Sequence, residues 1–211
     1  ATGRDSMVAN SVKVTVQTAP KSVALNITNK TIDLSSNERI FQLVGTISPS
    51  TANVYTHLKY TSSDKTVADV DENTGRVTAL KNGTATITVS TENNKTATCN
   101  VTVVTSPTGV TLDKSKATVD LSGTKTVELT AKIQPDTANI YTELSWISEA
   151  PEIAQVEKLN GSTVKVTGIS NGSAKIKVRT ENGKEATCVI VVETSITGIE
   201  IIPKTAKINM L

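Results

Sequence analysis

Carboxylate and amide oxygens recur at every second position in Asp69-x-Asp71-x-Asn73-x-Gly75. That spacing offers ligands to a hard cation such as Ca²⁺, which takes roughly six to eight oxygens. The twelfth residue counted from Asp69 is Leu80, where such a loop needs a bidentate carboxylate, and the second copy of the segment carries Gln155, Glu157 and Leu159 instead. An Asx-rich hairpin turn uses the same residues. Asp69, Asp71 and Asn73 are therefore read either as turn formers or as a low-affinity Ca²⁺ site, and the chain requires no cofactor.

Other reactive side chains are few. His57 is the one histidine, it stands beside a loop, and its counterpart is Glu143, so it reads as a solvated loop residue. No serine or cysteine has a G-x-S-x-G context, no P-loop is present, and no His/Cys cluster has zinc spacing. These absences argue against an enzyme. Cys99 and Cys188 occupy equivalent places in TATCNVTVV and EATCVIVVE. A whole repeat apart, they cannot reach the Cα separation of under about 7 Å that a disulfide needs. Each is in phase with apolar neighbours, Ala97, Val101 and Val103 or Ala186, Ile190 and Val192, and should point inward as a small hydrophobe. Tyr55 and Tyr141 recur in matching loops and are the candidates for contact with a partner. The Asn-x-Ser/Thr triplets at Asn26, Asn29, Asn82, Asn94, Asn100, Asn160 and Asn171 are what chance yields in a chain rich in Asn and Thr.

The elements that must position these residues follow from one stretch, Val67–Val89, which recurs in diverged form from Ile153 to Val178. Ala85, Ile87 and Val89 alternate with Thr84, Thr86 and Thr88, the period of a half-buried strand. Phe41, Leu43, Gly45 and Ile47 fall on one face, as do Val127, Leu129, Ala131 and Ile133 in the other copy, and this predicts a central strand. Pro49 and Pro135 open matching connections, because proline cannot donate to a ladder. Leu58 and Tyr60, or Leu144 and Trp146, begin the next strand, with Trp146 expected as the largest core anchor. Val67–Val70 and Val77–Leu80 read as a hairpin around Asn73-Thr74-Gly75, and Asn93-Asn94 and Asn182-Gly183 as turns into the last strand of each copy.

The chain thus divides into residues 1–19, the end of a preceding repeat; 20–106 and 107–195, two whole repeats; and 196–211, the start of another. Val12, Val14 and Val16 match Cys99, Val101 and Val103, while Ile199, Ile201 and Ile208 match Val110, Leu112 and Val119. With one Phe, one Trp and three Tyr among 211 residues, the cores must be built from Val, Ile, Leu and Ala. A net charge of +2 without a basic cluster argues against nucleic acid or an anionic membrane as partner. No apolar run approaches the 18 or so residues of a membrane span, and the opening residues ATGRDSMVANS lack the regions of a signal peptide. Direct membrane insertion is not expected.

Several of these segments together carry a resemblance. The V-x-L openings, the P-x-x-A-N connection, Tyr60-Thr61-Ser62-Ser63-Asp64, Val67-Ala68-Asp69-Val70-Asp71, Gly75-Arg76-Val77-Thr78-Ala79-Leu80 and Gly83-Thr84-Ala85-Thr86-Ile87 resemble the bacterial immunoglobulin-like domain, group 2 (BIG2). The second repeat keeps Trp146, Ile153-Ala154, Gly172-Ser173-Ala174 and Ala186-Thr187-Cys188, and departs at Glu149-Ala150-Pro151 and in a three-residue insertion near Asn160–Thr163. The resemblance implies an all-β chain of tandem immunoglobulin-like antiparallel β-sandwiches, about seven strands each. It also implies that Asn82-Gly83 is a corner between sheets, where local pattern alone suggests a hairpin.

Family members occur in tandem as stalks and adhesive segments of bacterial surface proteins and in phage virion proteins. An extracellular structural or adhesion segment, forming a stiff spacer, is the leading expectation. A self-assembling fibre or shell subunit whose terminal strands pair with neighbouring chains is the alternative, and a carbohydrate-binding module using Tyr55 and Tyr141 is a lesser one. The expected partners are neighbouring immunoglobulin-like repeats, copies of the chain itself, or a cell-surface protein or glycan.

Overall fold

The computed structural model describes residues 12–200, and every described element is a strand or a connection between strands. Two compact units emerge. One holds residues up to Ile32 together with Glu38–Val103, and the other holds Asp33–Asn37 with the chain from Val104 onward.

The first unit is built from β1 (Ser22–Leu25), β2 (Asn29–Asp33), β3 (Ile40–Gln42), β4 (Gly45–Ser48), β5 (Leu58–Ser62), β6 (Ala68–Val70), β7 (Arg76–Ala79), β8 (Gly83–Thr91) and β9 (Thr96–Val104). Its larger sheet has the order β2-β9-β8-β5, β3-β7-β6 forms a second, and β1 pairs with β4. In β8 the alternation decides the faces: Ala85, Ile87 and Val89 are buried, and the intervening threonines are turned outward. Leu43, Val77, Ile87, Val101 and Val103 are among the largest wholly buried side chains, so the core is aliphatic, as the composition requires.

The second unit repeats the plan with β10 (Gly109–Leu112), β11 (Lys116–Asp120), β12 (Thr126–Gln134), β13 (Leu144–Ser148), β14 (Ala154–Lys158), β15 (Thr163–Gly168), β16 (Gly172–Thr180) and β17 (Glu185–Glu193). Two four-stranded sheets, β11-β17-β16-β13 and β10-β12-β15-β14, enclose Leu129, Val164, Val166, Ile176, Cys188 and Ile190. This is the immunoglobulin-like sandwich. The step from β15 to β16 changes sheets, as does that from β7 to β8. Asn82-Gly83 is therefore the corner that the resemblance implies.

Three details differ from the expected plan. The opening strand is divided in each unit, so each sandwich has more than seven segments. The pairing is not uniformly antiparallel, because β11 runs parallel to β17 from Lys116↔Val189 to Asp120↔Glu193. Trp146 is only half-buried, packed against the core from the side, whereas Leu129, Ile176 and Ile190 are fully enclosed. The reason is position: β13 is an end strand, and its largest side chain has protein on fewer sides. Val12, Val14 and Val16 lie in no strand, exposed like Ile199; Ile201 and Ile208 lie outside the described residues.

Candidate functional site

The Asp69–Gly75 segment folds as a tight turn between β6 and β7. Oδ1 of Asp71 accepts from the backbone N–H groups of Asn73 (3.1 Å) and Thr74 (2.8 Å) and from the Thr74 hydroxyl (2.8 Å). Those hydrogen bonds, from the Thr74 backbone first, then its side chain and Asn73, hold the Asp71 carboxyl below its ordinary range. Oδ1 of Asp69 accepts from the N–H of Val70 at 2.9 Å. The oxygens thus satisfy backbone donors locally, the behaviour of an Asx turn. Among the described residues no group of three or more His, Cys, Asp or Glu side chains is placed to hold a metal ion.

Cys99 and Cys188 are buried free thiols, and burial pushes the pKa of both upward. A thiol held protonated in an apolar core is a poor nucleophile. His57 is exposed and lies outside the core.

Tyr55 and Tyr141 share an unusual backbone. Both have positive φ, 57° and 55°, and both leave about half of their surface open, 53% and 50%. A bulky side chain at positive φ is disfavoured by roughly 1–3 kcal/mol, yet it occurs at the same place in both repeats. The loops that hold them are fixed by the adjoining asparagines. Asn53 accepts from the N–H of Thr18 (2.7 Å) and donates through Nδ2 to the carbonyl of Val16 (2.8 Å), and its own N–H donates to the Thr18 carbonyl at 2.8 Å. Asn139 repeats the pattern on Thr105: the Thr105 N–H donates to its Oδ1 at 2.8 Å, and its N–H donates to the Thr105 carbonyl at 2.9 Å.

Two further side chains grip the same connections. Asn93 and Asn182, in the turns after β8 and β16, each donate through Nδ2 at 2.8 Å, to the carbonyls of Pro20 and Pro107. Each is oriented by a buried threonine: Thr91 donates to Asn93 and Thr180 to Asn182, both at 2.7 Å. Asp33 accepts from the Ser106 N–H at 3.0 Å and from the Ser106 hydroxyl, and its equivalent Asp120 accepts from the Ser195 N–H at 3.1 Å. Burial pushes the Asp33 pKa up, but the hydrogen bonds from Ser106 and Ser35 outweigh it and hold the carboxyl at about 2. Asp120 is likewise held low, chiefly by Ser195 and Ser122.

From sequence, Asn53 and Asn139 read only as part of a connection and Asn93 and Asn182 only as turn formers, while Asp33 and Asp120 are not singled out. The signal that could have found them is their recurrence: Asp33 and Asp120, Asn53 and Asn139, and Asn93 and Asn182 are each identical in copies that have otherwise diverged.

Asp33 supports a pH prediction. Its folded pKa lies below the unfolded value, so its contribution is complete above about pH 4 and is lost as pH falls through about 2. Asp33→Ala leaves the Ser106 N–H, in a residue only 7% exposed, without its acceptor. A loss of about 1–3 kcal/mol is expected at pH 7. Denaturant midpoints of the two proteins should converge as pH is lowered from about 4 to about 2; a gap unchanged at pH 2 would show that the carboxylate is not responsible.

Sheets packed face to face over aliphatic cores, with side chains that hold the connecting segments, define an immunoglobulin-like repeat. The family profile described as Bacterial Ig-like domain (group 2) matches residues 39–101 and 107–191, and the chain belongs to that family. A lacto-N-biosidase of Bifidobacterium bifidum is 34% identical over 88 residues, 40% of this chain and 7% of the enzyme. The chain thus spans a small part of that relative's length. Among solved structures, domains 4 and 5 of the S-layer protein SbsC align with 84% of this chain and 100% of theirs, at 21% identity and a TM-score of 0.37. The extracellular domain of protocadherin GammaB4 aligns with 81% of this chain and 32% of its own, at 13% identity and a TM-score of 0.44.

Proposed function

We propose that the chain is a non-enzymatic stalk or spacer segment of an extracellular protein, displayed on a bacterial surface or a phage virion. The observation that carries this reading is the repeated grip on the connecting backbone. Asn53 and Asn139 hold Thr18 and Thr105, Asn93 and Asn182 hold Pro20 and Pro107, and Asp33 and Asp120 hold Ser106 and Ser195. A connection that served only as a flexible tether would need none of these bonds, because loops left free are solvated and mobile.

Hydrogen exchange tests it. In the whole chain the Thr105 and Ser106 amides should be protected, and Asp33→Ala combined with Asn139→Ala should speed their exchange by at least about tenfold while both sandwiches stay folded. Unprotected amides at these positions in the unaltered chain would refute the spacer reading.

Tyr55 and Tyr141 favour a second role on the same scaffold, contact with a cell-surface protein or glycan. Exposed rings held at positive φ in both repeats are a strained arrangement that packing within the core does not use. Loss of adhesion to bacterial or host cells in a folded Tyr141→Ala protein would support that role; unchanged adhesion would remove it. Asp69, Asp71 and Asn73 serve in this reading as turn formers rather than as a Ca²⁺ site.

A further inference from the structure

The two repeats differ along one sheet edge, and the first unit is an internal reference for the second. There β5 ends its sheet, yet its open side is covered. The Tyr60 N–H donates to the Glu72 carbonyl at 2.8 Å, Lys59 lies 3.6 Å from Glu72, and the turn at Gly75 presses on the Tyr60 ring. The Gly45 N–H donates to the Tyr60 hydroxyl at 2.9 Å. A lysine on an edge strand and a covered edge both discourage pairing with another chain.

In the second unit β13 holds the place of β5 but lacks these protections. It pairs with β16 on one side, and the bond from Glu149 N–H to the Lys175 carbonyl sets the alternation, so that the amides of Trp146 and Ser148 face the open side. The hairpin from β14 to β15 has longer strands, and Lys158, Gly161 and Ser162 at its end are separated from Glu143 and Leu144 by a space of about 590 Å³. Its glycine, Gly161, has open space where a Cβ would stand, and among the described residues nothing takes the place of the Glu72 carbonyl.

Ser145 stands where Lys59 stands, and Ile147, in place of Thr61, is 60% exposed. Trp146 Nε1 is the one buried side-chain nitrogen or oxygen among the described residues without a hydrogen-bond partner. Trp146, Ile147, Ser148, Pro151, Gln155 and Val156 line a groove of about 440 Å³, and its far wall includes β14, itself the last strand of its sheet.

Charge selects the occupant. Glu143, just before β13, and Glu152, just beyond it, are exposed and form no ion pair among the described residues. A second copy of β13 laid antiparallel about Trp146 would set Glu143 against Glu149, whose carboxylate is already held by Lys177 at 3.2 Å, and so would offer Glu143 no cation. We propose that this edge docks an extended polypeptide segment of another protein, which adds as a strand beside β13. Two apolar side chains flanking its centre face the Trp146–Val156 groove, and Lys or Arg at its two ends meet Glu143 and Glu152. Backbone bonds supply the affinity and the ends supply the selectivity.

The test uses the full chain, labelled with ¹⁵N, and a blocked synthetic peptide Lys-Thr-Val-Thr-Val-Thr-Lys, beside the same peptide with Glu at both ends. The basic peptide should shift the Trp146 and Ser148 amides and slow their hydrogen exchange by at least about tenfold, leaving the Tyr60 amide unchanged. The acidic peptide should bind at least about tenfold more weakly. Ile147→Lys, at an exposed position, should keep the melting temperature and weaken the basic peptide by a similar factor. No change at those two amides, equal binding of the two peptides, or sedimentation showing β13 already covered by a second copy would each overturn the proposal.

Discussion

Gly75→Ala should destabilise the first unit by about 2–4 kcal/mol, the sum of backbone strain and a steric conflict. Gly75 has φ +72, and a Cβ there would lie 2.6 Å from the Leu43 carbonyl oxygen and 2.8 Å from the Tyr60 ring. Neither neighbour can retreat easily. Leu43 is fully buried and its N–H donates to the Gly75 carbonyl at 3.0 Å, while Tyr60 is 5% exposed and bonded to Gly45. In a domain of this size the loss corresponds to a fall in melting temperature of roughly 10–20 °C. The control lies in the other repeat. Gly161 has no atom within 4 Å of the same position, so Gly161→Ala should change stability by no more than about 0.5 kcal/mol. Equal effects at the two glycines would mean that the turn in the first unit is not packed on Tyr60 and Leu43.

Ile176→Ala in the second unit should cost about 2–5 kcal/mol, the range for removing a buried aliphatic side chain and leaving a cavity. Ile176 has no exposed surface and sits among Leu129, Val164, Val166, Cys188 and Ile190. Val164, Val166 and Ile190 cannot readily swing in to fill the void, because valine and isoleucine are stiff at χ1. The readout is the denaturant midpoint, at an unchanged dependence on denaturant concentration. A change below about 1 kcal/mol would mean that the core collapses around the truncation and is less closely packed than it looks.

The strands were legible because a half-buried strand writes its two faces into the sequence at every second residue. Ala85, Ile87 and Val89 against three threonines leave little choice of element or of inward face. Cys99 and Cys188 were legible for the same reason, being in phase with the valines beside them. Local pattern could not tell a corner from a hairpin at Asn82-Gly83, since both need the same turn residues; only the family resemblance separated them. Trp146 misled because side-chain size says nothing about whether its strand lies in the middle of a sheet or at the end. The bond between Asp33 and Ser106 spans 73 residues and has no period at all. The hydrogen bonds of Asp71 were partly legible: Asp-x-Asn-Thr-Gly is a turn sequence, although the same oxygens also imitate part of a cation loop.

β11 and β17 are the second and the last strand of the second unit and run in the same direction. Once tension drawn through the chain has freed β10, it pulls β11 back along its own axis and β17 forward along its own. The strands are asked to slide past each other, and the five pairs from Lys116↔Val189 to Asp120↔Glu193 resist together. An antiparallel hairpin pulled from its open end gives way one pair at a time. The bond from the Leu121 N–H to the Glu193 carbonyl, at 2.8 Å, and that from the Ser195 N–H to Asp120 extend this shared resistance to the exit of the unit. Strand direction here decides whether the fold shears or unzips.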